Sequence, residues 1–313
     1  MKAKNILLKR TRYSLGEWYG IDVRTLSAAE RRELASEEIR VDGILGKVCP
    51  FHPRGMCNKK GGVCTLRLYE QEGGGPVRGV QSPVAVCPSR FFEKGLIHKW
   101  VGETLLGTSK PIVLPEIGFL DRLQEEELSE DDDSRDLIGR IDNVLLHPER
   151  KPLDWCALEI QAVYFSGKAM KREFEMFSKF KGDDFPYPAA HRRPDWRSSG
   201  PKRLLPQLQT KTPTIRTWGK KVGVVIDEPF FSSLVGLDRE RHLSNAEIAW
   251  FIVGYEPTKT GWRLVPKDVV FSKLESSVKA LTGGTPLPKE KFEGQLLAKL
   301  QVIHPTSPLL EKH

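Results

Sequence analysis

Apolar residues recur along this chain in two rhythms, every second position in some stretches and every third or fourth in others. The two periods separate strands from helices. SAAERRELASEEIR (27–40) predicts a helix whose Ser27 and Glu30 fit a capping box. SRFFEKGLIHKWVGETLLG (89–107) predicts a second helix, capped by Ser89. GKAMKREFEMFSKF (167–180) predicts a third, and its Met170, Phe174, Phe177 and Phe180 suit a core better than a cofactor box. Strands are expected at PIVLPEIGFL (111–120), around Leu137 to Leu146, around Trp155 to Phe165, and at VGVVID (222–227), with a further apolar element at 246–257. Strands alternating with helices point to a mixed α/β fold, and no internal repeat is visible.

Two of these strands carry polar groups where a core strand has none. Asp142 heads the first, and Glu159 and Gln161 lie inside the second on one face, with Leu158 and Ile160 on the other. Set side by side, the strands would bring these groups to one point. Phosphodiester hydrolysis uses such a pair of carboxylates to hold Mg²⁺, which neutralises charge on the scissile phosphate and lowers the pKa of an attacking water. A sheet with one wet face would show the same letters. The order strand, Asp142, hairpin, strand with Glu159-x-Gln161, then helix resembles the PD-(D/E)xK nuclease core, with glutamine where most members have lysine. Glutamine has no cationic form, so its role would be to orient water or contact phosphate. Glu116, on the preceding strand, is a third carboxylate candidate, with an exposed strand-end acid as the alternative.

Composition narrows the partners. The 313 residues are 39% hydrophobic and 29% charged, with a net charge of +8 and a pI near 9.2, which suits a globular protein with a basic surface. Nucleic acid is the first partner to consider. No stretch approaches the roughly 20 apolar residues of a bilayer crossing, and the start lacks a signal peptide's apolar run, so a cytoplasmic protein is expected. Eight acids and one arginine in 125–136 suit a solvated loop. Residues 186–221 hold nine Lys and Arg against Asp195 alone, a surplus as large as that of the whole chain. This proline-rich basic stretch is expected as a loop. Its Arg192, Arg193, Arg197, Lys202, Arg203 and Arg216 are the candidates for DNA contact, while His191, Trp196 and Trp218 either stack on bases or anchor the segment.

Four of the five cysteines cluster: Cys49, Cys57, Cys64 and Cys87, separated by seven, six and twenty-two residues. Four thiolates in a Gly- and Pro-punctuated region can enclose one tetrahedral ion, zinc or iron, with a reduced, buried and unligated set as the alternative. His52 is a less favoured substitute ligand. Four protein ligands leave no place for substrate, so the expected role is structural. Cys156 stands apart and fits a small core position.

CPFHPRGMCNKKGGVC with the later Cys87, together with Asp142 and Glu159-x-Gln161, resembles the NotI family of type II restriction endonucleases. The resemblance implies a small N-terminal four-cysteine region (1–88) that binds iron, followed by a catalytic and DNA-recognition domain (89–313) with the PD-(D/E)xK core, a mixed sheet flanked by helices. It also implies an active site of Asp142, Glu159 and Gln161, a homodimer, and Mg²⁺-dependent cleavage of both strands at a GC-rich palindrome. The acidic insertion lengthens the path from Glu116 to Asp142 and leaves Glu116 open. The competing functions are a metal-stabilised, sequence-specific DNA-binding protein without catalysis, and an iron–sulfur repair or CRISPR-type nuclease. In the latter the cysteines would bracket the nuclease core, and here all four precede it.

Overall fold

Lys9–Trp18 (β1) and Val63–Glu72 (β2) pair antiparallel, and three two-residue strands extend them into a five-stranded sheet. The computed structural model describes residues 9–51, 55–120, 138–167, 170–283 and 287–310. The expected acidic loop at 125–136 therefore lies outside the described residues, as do His52 and Arg54. The described residues fall into two units divided between Thr282 and Gly283, and everything that follows belongs to the first.

The central sheet has six strands. Ile112–Leu120 (β3), Ile138–Leu146 (β4), Trp155–Ile160 (β5), Val222–Asp227 (β6), Ile248–Pro257 (β7) and Trp262–Ser272 (β8) run in the order β8-β7-β6-β5-β4-β3. β6 is parallel to both β5 and β7, and the remaining pairs are antiparallel, so the sheet is mixed. Its buried middle strand β6 is the continuous apolar run VGVVID, as parallel strands covered on both faces require. One face packs Ala157, Val224 and Trp250 against Leu204, Leu208 and Ile215. The other packs Leu158, Val225 and Phe251 against Phe91, Ile97 and Val101.

Several expected elements stand as read. Ala28–Val41 (α1) begins at the capping box, where the Glu30 N–H donates to Ser27 Oγ (3.2 Å) and the Ser27 N–H to Glu30 Oε2 (2.7 Å). Leu96–Val101 forms α2 and Lys171–Lys179 forms α3. Phe174 and Phe177 of α3 bury against Trp18, confirming a core role, and Cys156 is buried as expected. Phe174, Phe177 and Phe185 belong to the same core as β1, β2, Cys49, Cys57 and Cys64, so the N-terminal core draws on residues well beyond 88.

Three readings change. The helix expected over 89–107 is broken into a 3₁₀ segment (Pro88–Gly95), α2 and a wide π turn (Gly102–Leu106). Glu93 and Lys94 leave helical geometry, and no side chain, Ser89 included, caps the start. The break serves Arg90, which is fully buried and bonds Glu17 of β1 (2.7 Å), Glu93 (2.7 Å) and the Trp262 carbonyl (2.9 Å), tying the two sheets together. The strand expected to reach Phe165 stops at Ile160. Beyond it the Val163 N–H turns to the Ala85 carbonyl of the N-terminal sheet (2.8 Å). The basic loop of 186–221 is largely helical: Trp196–Ser199, a π turn at Gly200–Leu204, then Leu205–Thr217 (α4). Pro201 and Pro206 sit at first-turn positions, where the missing N–H costs nothing, and Leu204, Leu208 and Ile215 anchor the helix on the sheet.

Candidate active site

The strand registers decide which side chains meet. Asn143 faces Leu158 and Val144 faces Ala157, so one further step along the antiparallel ladder sets Asp142 opposite Glu159. On the other side Pro115 faces Asn143 and Ile117 faces Ile141, which sets Glu116 opposite Asp142. Three carboxylates thus stand in a row across β3, β4 and β5. The long connection between Glu116 and Asp142 does not separate them, because it leaves from and returns to paired strands.

The row is stitched by backbone. The Ile160 N–H donates to Asp142 Oδ2 (2.8 Å), and the Asp142 N–H reaches the Glu159 carboxylate. Glu116 has a left-handed backbone (φ 54°), which costs a non-glycine residue energy and is concentrated at functional sites. Its side chain is exposed, 3.6 Å from Arg140 Nη1. Burial raises the pKa of Asp142, opposed by the Ile160 N–H and Lys211 and reinforced by Glu116. Burial, and then the charge of Asp142, push Glu159 up to about 7 against the pull of Lys211. Two carboxyl groups that share a site and resist ionising together are what a divalent cation relieves.

Gln161 is buried just past the end of β5, its N–H on the Val225 carbonyl (3.1 Å). Its side-chain NH₂ donates back to the Ala162 carbonyl (2.5 Å). The carboxamide is thus tied to the backbone of the next residue.

The residue missing from the sequence reading is Lys211. Counted there as one of nine basic charges in an open loop, it lies on α4 with its side chain 3% exposed, and its Nζ is 2.8 Å from both Glu159 oxygens. Gln207 Oε1 (2.6 Å) and the Arg140 carbonyl complete its surroundings. The signal was present in the sequence: Leu204, Leu208, Lys211 and Ile215 recur at helical spacing, so the lysine interrupts an apolar stripe.

Cys49, Cys57, Cys64 and Cys87 are all buried. A short antiparallel bridge pairs Val48 with Met56, with the Cys49 N–H on the Gly55 carbonyl (2.8 Å) and the Cys57 N–H on the Lys47 carbonyl (2.8 Å), and the N–H groups of Val86 and Cys87 both bond the Cys64 carbonyl. Burial raises the thiol pKa of Cys57 and Cys64, and both also feel Cys49 and Cys87. Lys59, partly buried, donates to the Val86 carbonyl and feels Cys87, Cys64 and Cys57. The four thiols are buried soft donors within electrostatic reach of one another. Among the described residues, no three or more acidic, histidine or cysteine side chains are drawn together closely enough to grip an ion as they stand.

The basic candidates divide. Arg193, Arg197, Lys202, Arg203 and Arg216 are exposed. Arg203 lies 3.6 Å over the Tyr164 ring, and Arg216 bonds Glu247 (2.6 Å). Arg192 departs from the expected set, because it is buried with Nη2 2.7 Å and Nε 3.2 Å from the two oxygens of buried Glu173. A guanidinium committed to a core carboxylate anchors α3 and is not free to read bases. Trp196 stacks on Phe230 and anchors the segment, while Trp218 lies against Phe119 and Trp155 with more than half of its surface exposed. No helix among the described residues is long and apolar enough to cross a membrane.

No curated protein matches the chain. A family model described as "Restriction endonuclease NotI" matches residues 43–265, a span that holds the four cysteines, the row of acids, Gln161, Lys211 and the exposed basic residues. That match covers well over half of the sequence, and it falls on the elements that build the site: the chain belongs to the NotI family of restriction endonucleases.

Proposed function

We propose that this restriction endonuclease is a Mg²⁺-dependent type II enzyme with a PD-(D/E)xK core, which hydrolyses both strands of DNA at a GC-rich palindrome as a homodimer. The observation that carries the reading is the register that aligns Glu116, Asp142 and Glu159 across three neighbouring strands. Asp142 and Glu159 would hold the ion, with Glu116 at the open end of the row. Bound there, Mg²⁺ neutralises charge on the scissile phosphate and acidifies the attacking water. Gln161, tethered through its NH₂ to the Ala162 carbonyl, presents its carbonyl oxygen to a proton of that water and helps hold it in line with the phosphorus. The leaving 3′ oxygen departs opposite the incoming water and takes up a proton from solvent.

Arg193, Arg197, Lys202, Arg203 and Arg216 supply the exposed positive surface that meets DNA, and two-fold symmetry in the protein matches two-fold symmetry in the site. Cys49, Cys57, Cys64 and Cys87, within an N-terminal region spanning 1–88, hold a structural iron, with zinc as the alternative. Such an enzyme works in the cytoplasm, where it meets DNA.

Incubating the purified chain with genomic DNA and Mg²⁺ tests the reading. Discrete fragments are expected, and intact but shifted DNA would favour the non-cutting binder. Glu159→Ala is expected to abolish cutting and keep binding; undiminished cutting would remove Glu159 from the site. Elemental analysis with an optical spectrum decides the structural metal, since a ferric thiolate centre absorbs visible light and zinc does not.

A further inference from the structure

Lysine is among the residues least often buried, because removing an ammonium from water costs several kcal/mol unless it is paired. Lys211 is nonetheless one of the most deeply buried charges in the chain, and its partner is the carboxylate at the centre of the candidate site. An ammonium has three protons, yet Nζ finds four oxygens: both of Glu159, Gln207 Oε1 and the Arg140 carbonyl. The Gln207 and Arg140 oxygens are neutral and fix the ammonium in place from α4 and β4. The two Glu159 oxygens are the negative ones, and they alone have another use.

We propose that Lys211 is a catalytic residue of this nuclease, delivering from helix α4 the positive charge that Gln161 does not carry on the strand. The inference rests on the reading of Asp142 and Glu159 as the Mg²⁺ site. In the resting chain Lys211 neutralises Glu159. When Glu159 turns one oxygen to the ion, the ammonium keeps its two neutral anchors and has a proton to donate to a non-bridging oxygen of the scissile phosphate. There it offsets the charge that develops as water adds to phosphorus and the 3′ oxygen leaves. No proton is lost from Lys211 in this role, so the reaction balances with water as the only co-reactant.

Four chains decide the matter: wild type, Lys211→Met, the double variant Lys211→Met/Gln161→Lys, and Glu159→Ala. Cutting is measured on genomic DNA with Mg²⁺, Mg²⁺ binding without DNA by calorimetry at about pH 8.5, and folding by thermal melting. Lys211→Met is expected to cut at least ~100-fold more slowly, the scale of losing one preorganised charge-stabilising group. The calorimetry sets a saturating Mg²⁺ concentration for each chain, so that the cutting rate reports the missing charge and not a missing ion. The double variant, with lysine returned two residues along from Glu159, is expected to regain at least ~10-fold in rate. The inference is overturned if folded Lys211→Met cuts at the wild-type rate, or if the folded double variant is as slow as the single one. Should Lys211→Met fail to fold, the double variant alone carries the test: cutting within ~10-fold of wild type supports the charge role, and a folded, inactive chain overturns it. Glu159→Ala separates the two levels. If it cuts normally the site reading fails; if it is inactive while Lys211→Met is not, only the inference fails.

Discussion

Glu159 concentrates the chemistry of this protein in one side chain. It is 2% exposed, faces Asp142 across a ladder and carries Lys211 on both oxygens. Burial and Asp142 set its pKa near 7, so its affinity for a cation is coupled to a proton. Mg²⁺ binding to the DNA-free chain is expected to be pH-independent well above 7 and to weaken about tenfold per unit below it, since each ion must displace a proton. Calorimetry from pH 5.5 to 8.5 checks this. The sign for stability is the reverse. A carboxyl whose folded pKa lies above its unfolded one stabilises the fold at low pH, and that contribution is lost as pH rises through about 7. Mg²⁺ restores it, so the ion should raise the melting midpoint at pH 8 and leave it nearly unchanged at pH 5.5.

At the level of elements, the pieces that look irregular are those that do the positioning. The broken helix after Cys87 exists to bury Arg90 between Glu17, Glu93 and the Trp262 carbonyl, with its guanidinium 4.3 Å over the Phe51 ring. Replacing Arg90 with Met leaves Glu17 buried and unpaired, and this is expected to cost about 3–5 kcal/mol, measured by urea denaturation. The proline-punctuated segment before Thr217 is likewise a working element. Its prolines at 201 and 206 start helical turns, its leucines seat on the sheet, and the seating carries Lys211 to Glu159.

Over the whole molecule, the basic surplus has two destinations. Lys211 and Arg192 are committed inside, to Glu159 and Glu173, while Arg193, Arg197, Lys202, Arg203 and Arg216 remain at the surface. DNA affinity should therefore depend on salt through the exposed group alone. Replacing Arg197 and Lys202 with alanine is expected to lower the slope of log K against log[salt] by about 1 for each phosphate no longer neutralised. Replacing Arg192 is expected to leave the slope unchanged and lower the melting midpoint instead. Anisotropy titrations between about 50 and 200 mM salt distinguish these outcomes.

Much of this architecture was legible from residue order. Alternation placed Glu159 and Gln161 on one face of their strand, the capping box fixed the start of α1, and clustering singled out the four cysteines. These are local properties, set by backbone period and by the few side chains able to satisfy a helix end. Whether Glu116 stands beside Asp142 is a matter of strand register across a long connection, which no local pattern encodes. Which basic residues face water and which face a carboxylate depends on how α4 lies against the sheet. Lys211 and Arg216 are five residues apart and equally charged, yet one is buried on Glu159 and the other exposed. The apolar stripe of Leu204, Leu208 and Ile215 marks Lys211 as turned inward, but burial against a particular partner is a property of packing between distant segments, so the tertiary structure alone decided that the partner is Glu159.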